Sequence, residues 1–211
     1  MNTTSSVESR GAPGGPDEDT EGGFAFGGWQ APLIDDLVGE QVIAGMQGLD
    51  ALLLGRRTSD IFAAYWPEQD QGIDAGIAQL FNRVPKYVAS RSAPTLDWAH
   101  STLLGPDMLW AVAERERHAN VHVIGSLDLV QTLVADGLFD RLSLWIYPIL
   151  RGTGKRMFAD GTVPSNLTIV EPAVTSCTGA ALVRYARADG TPSTGDMSRP
   201  DRVSTTPPAG S

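Results

Sequence analysis

The sequence predicts an α/β domain built on a mixed β-sheet, and three observations support that prediction. Short apolar runs, typical of buried parallel strands, alternate along the chain with segments of helical periodicity. Two further segments, at about 167–175 and 180–186, flank Thr178-Gly179 and predict a C-terminal antiparallel hairpin. Of the 211 residues, 42% are hydrophobic, which is enough to fill a single buried core.

Local signals place the helices and strands that precede this hairpin. Pro32 suits the first turn of a helix, and Pro67 ends a later one. Gly55 and Gly125 follow short apolar runs, so those runs are expected to be buried strands. In chain order the sequence predicts a helix at 33–46, a strand at 51–54, helices at 58–65 and about 73–81, a strand at 86–89, a helix at 107–118, a strand at 121–124, a helix at about 127–138, a strand at 142–150 and a glycine-rich loop at 151–161.

Composition divides the chain into three segments. Residues 1–23 carry five acidic residues against one basic residue, and only three of their side chains are apolar. Residues 187–211 carry four prolines and no aromatic residue. Neither segment can bury enough apolar surface to offset the entropy of ordering, so both are expected to be flexible. All Trp, Phe and Tyr lie within 24–186, which is expected to form one domain.

Charge and cysteine content exclude several classes of function. A formal net charge of −9 argues against a nucleic-acid partner that is bound through its phosphates. The longest apolar runs are shorter than the ~18 residues of a membrane span, and no signal peptide opens the chain. Cys177 is the single cysteine, which excludes an internal disulfide and fits a reducing cytosol. The three histidines lack the spacing of metal ligands. We therefore expect a cytoplasmic protein without a metal, membrane or nucleic-acid partner.

Three predicted strand ends carry glycine or small polar residues just before a helix or loop. In open α/β sheets, ligands bind at the carboxyl ends of strands, where helix N-termini hold anions. A tight turn with helix caps would explain any one of these ends by itself. The three together favour a ligand with several phosphates, such as a dinucleotide. The residues at these ends are Gly55, Arg56, Arg57 and Thr58, then Ser90 and Arg91, then Gly125, Ser126 and Leu127.

Two adjacent acids, Asp35 and Asp36, stand at the start of the first predicted helix. A carboxylate that projects from this helix toward the sheet could donate a proton or orient a polar heterocycle. The alternative is that both acids only complement the helix dipole. The residue pattern leaves both interpretations open.

Several motifs resemble the dihydrofolate reductase-like superfamily. Leu54–Thr58 followed by Ile61–Pro67 is most similar to stand-alone relatives of the C-terminal reductase domain of the riboflavin-biosynthesis deaminase/reductase. Supporting stretches are 85–91, 125–131 and 147–155, and the resemblance covers about residues 12–186. It implies a three-layer fold, in which a mostly parallel mixed sheet carries helices on both faces and ends in an antiparallel hairpin.

The resemblance implies a bacterial, homodimeric reductase that transfers a hydride from NADPH to a small heterocyclic, pterin- or pyrimidine-like, or carbonyl substrate. The loop Gly55–Thr58 would then bind the cofactor's phosphates, Ser90-Arg91 its 2′-phosphate, and the turn Gly125–Leu127 its pyrophosphate. The substrate would lie near Trp29 and Tyr147. Asp36, with Asp35 as second choice, would be the acid or the substrate anchor.

One departure from the family pattern keeps other functions open. Members of this family begin with an apolar strand, whereas residues 3–11 contain Val7 as their single large apolar side chain. The start of the chain is therefore atypical, or the strand is lost and the domain is impaired or repacked. A non-catalytic NADP-binding or interaction protein with a degenerate site is the alternative. A weaker option is a homodimeric scaffold that associates through 142–150.

Overall fold

The computed structural model describes residues 2–4, 15, 25–72, 74–105, 118–150, 157–158 and 162–195. The predicted helix at 107–118 lies outside these residues except for His118, and so does most of the predicted loop at 151–161. Within the described ranges, no helix combines the length and the apolar character that a membrane span requires.

The described residues form nine strands and four α-helices. The strands are β1 (Asn2–Thr4), β2 (Ala51–Gly55), β3 (Lys86–Ala89), β4 (Ser101–Leu104), β5 (Val121–Val123), β6 (Arg141–Ile146), β7 (Asn166–Ile169), β8 (Val174–Thr175) and β9 (Ala181–Ala188). The helices are α1 (Asp36–Gly45), α2 (Arg56–Tyr65), α3 (Ala75–Arg83) and α4 (Leu127–Ala135), with short 3-10 helices at Ala31–Leu33 and Trp66–Glu68. Strand β4 has only two apolar side chains and was not predicted, and β6 ends four residues before the predicted strand does.

One mixed sheet joins all nine strands in the order β4-β3-β2-β5-β1-β6-β9-β7, with β8 also paired to β9. The first six strands of this order are mutually parallel. Strand β9 then runs antiparallel to β6 and to both β7 and β8. The predicted α/β class, with a mostly parallel sheet and a C-terminal antiparallel hairpin, is confirmed.

The start of the chain corrects one boundary of the sequence analysis. Residues 1–23 were expected to be flexible, but Asn2–Thr4 form β1, inserted between β5 and β6. Thr3 pairs with Val123 on one side and with Leu142 on the other. A strand between two parallel neighbours pairs its backbone N–H and C=O groups whatever its side chains are, which is why a polar sequence can occupy this position. At the other end, β9 continues to Ala188, two residues into the segment expected to be flexible.

Helices cover both faces of the sheet, as a three-layer fold requires. Along β2, Ala51 and Leu53 belong to the apolar cluster under α4, whereas Leu52 and Leu54 pack on the opposite face with α2 and α3. Helix α1 lies on that second face as well, because its Val38 packs with Trp145. Leu144, the residue before Trp145 in β6, belongs to the α4 cluster, so the side chain of Trp145 projects to the opposite face. The two faces are named here the α4 face and the α1–α3 face.

Candidate functional site

Two of the three predicted strand ends meet in the structure. Strands β2 and β5 are parallel neighbours, so their carboxyl ends lie side by side. The backbone N–H of Gly55 donates a hydrogen bond to the carbonyl of Gly125 across a distance of 3.3 Å. Helix α2 begins directly after Gly55, and helix α4 begins directly after Ser126. The predicted loop and the predicted glycine turn thus form one continuous surface.

Glycine is needed on both sides of this contact. A Cβ atom at Gly55 would lie 2.9 Å from the Cβ of Ser126 and 3.0 Å from its backbone nitrogen, closer than real Cβ atoms approach. Gly125 has a φ of 77°, in the left-handed region, and a Cβ there would lie 3.0 Å from Thr58 Oγ1. The peptide bond between Gly125 and Ser126 is cis. The absence of side chains therefore allows the two turns to touch.

The contact lies at a switch point of the sheet topology. From β2 the chain passes through α2 and α3 to β3 on one side, and from β5 it passes through α4 to β6 on the other side. Because α2 and α4 lie on opposite faces, their N-termini diverge from this point and leave a crevice between them, which is where open α/β sheets bind ligands. Neither helix has a side-chain cap at its N-terminus. The backbone N–H groups of both first turns therefore suit an anion.

The basic side chains near this crevice differ in how they are held. Arg56 Nε lies 2.7 Å from Asp60, one turn further along α2, so its charge is balanced within the helix. Arg57 is exposed on the first turn of α2. Arg91 is exposed two residues after Ala89, which pairs with Gly55, and no acidic partner for it is found among the described residues. Arg91 is therefore the predicted cation best placed to receive a phosphate from outside.

Two further predicted residues contribute mainly through the backbone. Ser90 Oγ accepts a hydrogen bond from the backbone N–H of Ser92 at 3.2 Å, which shapes the turn that presents Arg91. Leu127 packs against the apolar cluster under α4, so its side chain belongs to the core. Only the backbone of Leu127, at the first position of α4, is suited to a ligand.

The predicted substrate residues form an aromatic group at the same carboxyl edge of the sheet. Tyr147 follows the end of β6, and its ring meets the ring of Trp29 edge to face at 5.2 Å between centroids. Trp145 stacks on Tyr147 at 6.1 Å. Gln30 donates a hydrogen bond from its side-chain amide to the Tyr147 hydroxyl. The structure thus brings Trp29 and Tyr147, the two residues predicted to lie near the substrate, into direct contact.

The two predicted acids have different surroundings. Asp35 is the N-cap of α1, where its Oδ1 accepts a hydrogen bond from the Val38 N–H at 2.9 Å. Its Oδ2 accepts two further hydrogen bonds from Cys177, one from the thiol at 3.0 Å and one from the backbone N–H at 3.1 Å. The thiol bond and then the Val38 N–H hold the pKa of Asp35 below its ordinary value. Asp35 is therefore a helix cap that stays ionised, whereas Asp36 is exposed in the first turn of α1.

The residues that secure this region were not identified from the sequence. Thr178 donates a hydrogen bond from its hydroxyl to the Leu33 carbonyl at 2.8 Å, next to the contact between Cys177 and Asp35. Gln30 likewise reaches Tyr147 across more than a hundred residues of sequence. Contacts of this range leave no local pattern that sequence reasoning could use. Among the described residues, no three His, Cys, Asp or Glu side chains come together as metal ligands would.

Comparisons with known proteins place the fold and the family of the chain. An uncharacterized protein, YyaP, of Bacillus subtilis (strain 168) is 27% identical over 125 residues, which span 58% of this chain and 66% of that protein. A putative riboflavin biosynthesis protein from Shewanella sp. PV-4 superposes with a TM-score of 0.65 at 16% identity, covering 90% of this chain and all of that one. A pyrimidine reductase-like protein from Corynebacterium diphtheriae gives a TM-score of 0.59 at 15% identity over 90% and 92% of the two chains.

These two structures establish the fold. The family follows from a separate match, in which the RibD C-terminal domain aligns with residues 40–179 and so with β2 to β8 and the turns that form the crevice. With about two thirds of its length matched, the chain belongs to the RibD C-terminal domain family.

Proposed function

We propose that this protein is an NADPH-dependent reductase that transfers a hydride to a small heterocyclic, pterin- or pyrimidine-like, or carbonyl substrate. The observation that carries the proposal is the pair of uncapped helix N-termini at the switch point between β2 and β5, next to Arg91, for which the described residues offer no acidic partner. Membership of the RibD C-terminal domain family supports a reductase. The Corynebacterium structure, described as pyrimidine reductase-like, supports a heterocyclic substrate.

The crevice has the properties that a dinucleotide phosphate cofactor needs. The first turns of α2 and α4, from Gly55 to Thr58 and from Gly125 to Leu127, offer backbone donors and bare glycine surface to the phosphates. Arg91, with Ser90, provides a cation for the 2′-phosphate that distinguishes NADPH from NADH. When bound, NADPH supplies the hydride, and the protein's own contribution is to bind and orient.

The substrate is proposed to lie on the aromatic group formed by Trp29 and Tyr147 at the same edge of the sheet. Its flat ring faces suit a planar heterocycle. Asp35 is satisfied as a cap, so we assign the acid or anchor role to Asp36, which is exposed. We also propose that the protein is cytoplasmic and forms a homodimer. The dimer is supported by Ile146, Leu167 and Ile169, which expose apolar side chains along the antiparallel part of the sheet.

Cofactor preference tests the proposal most directly. NADPH and NADH are titrated against the intrinsic fluorescence of the five tryptophans, in the wild-type protein and in Arg91→Ala. Loss of a charge-assisted contact is expected to weaken NADPH binding about 10- to 100-fold and to leave NADH binding unchanged. Arg83→Ala, which removes an exposed arginine from the far end of α3, is the matched control. Equal affinity for the two nucleotides in the wild type would overturn the proposal.

Turnover separates the reductase from its alternative. NADPH oxidation is followed at 340 nm with pterin, pyrimidine and carbonyl compounds, and Asp36→Asn is compared with the wild type. A fall in kcat with an unchanged Kd for NADPH is expected if Asp36 acts on the substrate. NADPH binding without oxidation of NADPH by any compound would favour the non-catalytic NADP-binding protein.

A further inference from the structure

A polar cavity of about 660 Å³ opens on the α1–α3 face at the amino end of the sheet, away from the crevice described above. Its walls are the C-terminal half of α1, the first residues of β5 and β6, and the middle of β9. Three of the walls, α1, β6 and β9, also carry the apolar cluster around Trp145. Most of its lining is polar, whereas the layer between a helix and a sheet is ordinarily apolar.

The innermost polar group of the cavity is His122. This side chain is only 2% exposed, and its Nε2 is buried with no hydrogen-bond partner among the described residues. A buried polar atom without a partner is destabilising, so a native protein ordinarily supplies one. Burial lowers the pKa of His122 to about 4, so the imidazole is neutral near pH 7 and its Nε2 can donate or accept one hydrogen bond. A bound molecule could therefore supply the hydrogen-bond partner that the described residues do not give to Nε2.

The charges around the mouth of the cavity are unequally paired. Arg184 is held by Glu171 and by the side-chain oxygen of Gln41, the latter at 2.9 Å. Asp140 also has contacts of its own. Arg141, the first residue of β6, is exposed and has no ion-pair partner among the described residues. Within the described part of the chain, the cavity thus has a cation without an ion-pair partner at its mouth and a neutral imidazole with an unsatisfied nitrogen at its floor.

The spacing of these two groups limits the size of the ligand. His122 and Arg141 stand on β5 and β6, and β1 runs between them, with Asn2 paired to both. Two strand spacings amount to about 10 Å between the backbones, and both side chains project to the same face. Small apolar side chains, Ala44, Ala119 and Val170, also line the cavity. A short, partly apolar molecule can therefore bridge the two groups.

We propose that this cavity binds a small organic monocarboxylate whose anionic group pairs with Arg141 and whose second, hydrogen-bonding end meets His122 Nε2. Ser143, which also lines the cavity and lies two residues after Arg141 on the same face, offers a further hydrogen-bonding group beside the cation. This second site lies at the opposite end of the strands from the proposed cofactor site and does not depend on it.

The test uses 4-hydroxybenzoate as the probe and the imidazole NMR signals of the protein as the readout. The chain has only three histidines, so the His122 signal can be assigned by comparison with a His122→Gln variant. A saturable shift of the His122 signal is expected in the wild type. Benzoate lacks the hydroxyl and 4-hydroxybenzamide lacks the charge, and each is expected to bind at least fivefold more weakly. Binding of all three probes with equal affinity would overturn the proposal.

A pair of arginine variants completes the test. Arg141→Gln removes the cation from an exposed position and is expected to weaken 4-hydroxybenzoate binding about tenfold. Arg187→Gln, an exposed arginine of β9 outside the cavity, is the matched control and is expected to bind as the wild type does. Unchanged affinity in Arg141→Gln, or no saturable shift of His122 in the wild type, would overturn the proposal. NADPH titration of the same samples reports separately on the carboxyl-edge site.

Discussion

The two faces of the sheet bury different kinds of side chain. The α4 face carries one cluster of thirteen buried residues among those described, all of them apolar. The α1–α3 face carries two smaller clusters, of six and five buried residues, and the polar cavity. Among the described residues, the buried basic side chains, Lys86 and His122, both lie on this second face, since each pairs in register with Leu52.

This difference indicates that the two faces have different tasks. An uninterrupted apolar layer stabilises the fold, because the transfer of apolar surface from water needs no specific partner. A layer interrupted by polar groups is less stable, and it places hydrogen-bonding atoms where a ligand can use them. The aromatic group around Trp29 and Tyr147 also belongs to the α1–α3 face. We therefore expect substitutions on the α4 face to alter mainly stability, and those on the α1–α3 face to alter binding as well.

The largest effect is expected where the two faces meet, at Gly55. In Gly55→Ala the new Cβ would approach Ser126 too closely, so the first turns of α2 and α4 would be forced apart. Such overpacking should lower the free energy of unfolding by roughly 3 kcal/mol, measured by chemical denaturation. Because Gly55 has a φ of −71°, which alanine adopts freely, the whole effect is steric.

Gly76→Ala is the matched control for this prediction. Gly76 lies in α3, and a Cβ there would meet nothing within 4 Å. The substitution should leave stability unchanged or raise it by about 0.5–1 kcal/mol, because alanine is the better helix former. We also expect NADPH binding to be lost in Gly55→Ala and kept in Gly76→Ala. A Gly55→Ala protein with wild-type stability would show that the two faces are not rigidly joined at this contact.

Much of this arrangement could be predicted from the sequence. The strand ends at Gly55 and Gly125 were recognised because apolar runs that end in glycine depend only on neighbouring residues. Strand β1 was not, because Asn2–Thr4 carry no apolar pattern and are held by backbone pairing with strands more than a hundred residues away. Strand β4 was missed for a related reason, since Ser101 and Thr102 are polar and only Leu104 is buried.

The candidate site was less predictable than the fold. Local signals identified Asp35 as a possible acid or as a charge that complements the helix dipole. Its role as a helix cap, also held by Cys177 from across the fold, appears only in the structure. The cavity on the α1–α3 face has no counterpart in the sequence analysis, which assigned His122 no site. A histidine within a short apolar strand gives no sign of whether its nitrogen finds a partner. Long-range pairing is what decides both cases.

The next effect compares the two faces through the same substitution. Val130 in α4 and Val38 in α1 are each 1% exposed, and each belongs to the apolar cluster of its own face. Val130→Ala should cost about 2–3 kcal/mol, because the buried neighbours of α4 cannot close the space that is left. Val38→Ala should cost about 1 kcal/mol less, because Trp29, Leu33 and Val42 around it are partly exposed and can move. Urea denaturation of both variants measures the difference.

The reverse order would contradict the comparison of the faces. If Val38→Ala were the more destabilising of the two, the α1 cluster would be the stronger core despite its smaller size. Near-equal losses would mean that local packing around each valine outweighs the continuity of the layer. Either conclusion requires that the free energy of unfolding fall with urea concentration at the same slope in both variants, because equal slopes show that the denatured states are alike.

The smallest effect concerns the buried cation of the α1–α3 face. The side chain of Lys86 is fully buried. Its Nζ donates hydrogen bonds to the carbonyls of Asn82 and Ala99 at 3.0 and 2.8 Å, and the same atom lies 4.5 Å from the centre of the Trp98 ring. Burial nevertheless lowers the pKa of Lys86 from 10.5 to about 8. Above pH 8 the folded protein therefore releases a proton that the unfolded chain keeps up to about pH 10.5, so stability rises with pH in this window.

Between pH 7 and pH 9 this proton should raise the free energy of unfolding by about 1 kcal/mol in the wild type. Lys86→Met removes the titrating group and keeps most of the side-chain volume, so the variant should lack this increment. The measurement is urea denaturation of both proteins at the two pH values. Taking the difference between the two proteins cancels the contributions of the other titrating groups. An identical pH dependence would show that the two carbonyls and the Trp98 ring hold Lys86 protonated, and that this face tolerates a buried charge without cost.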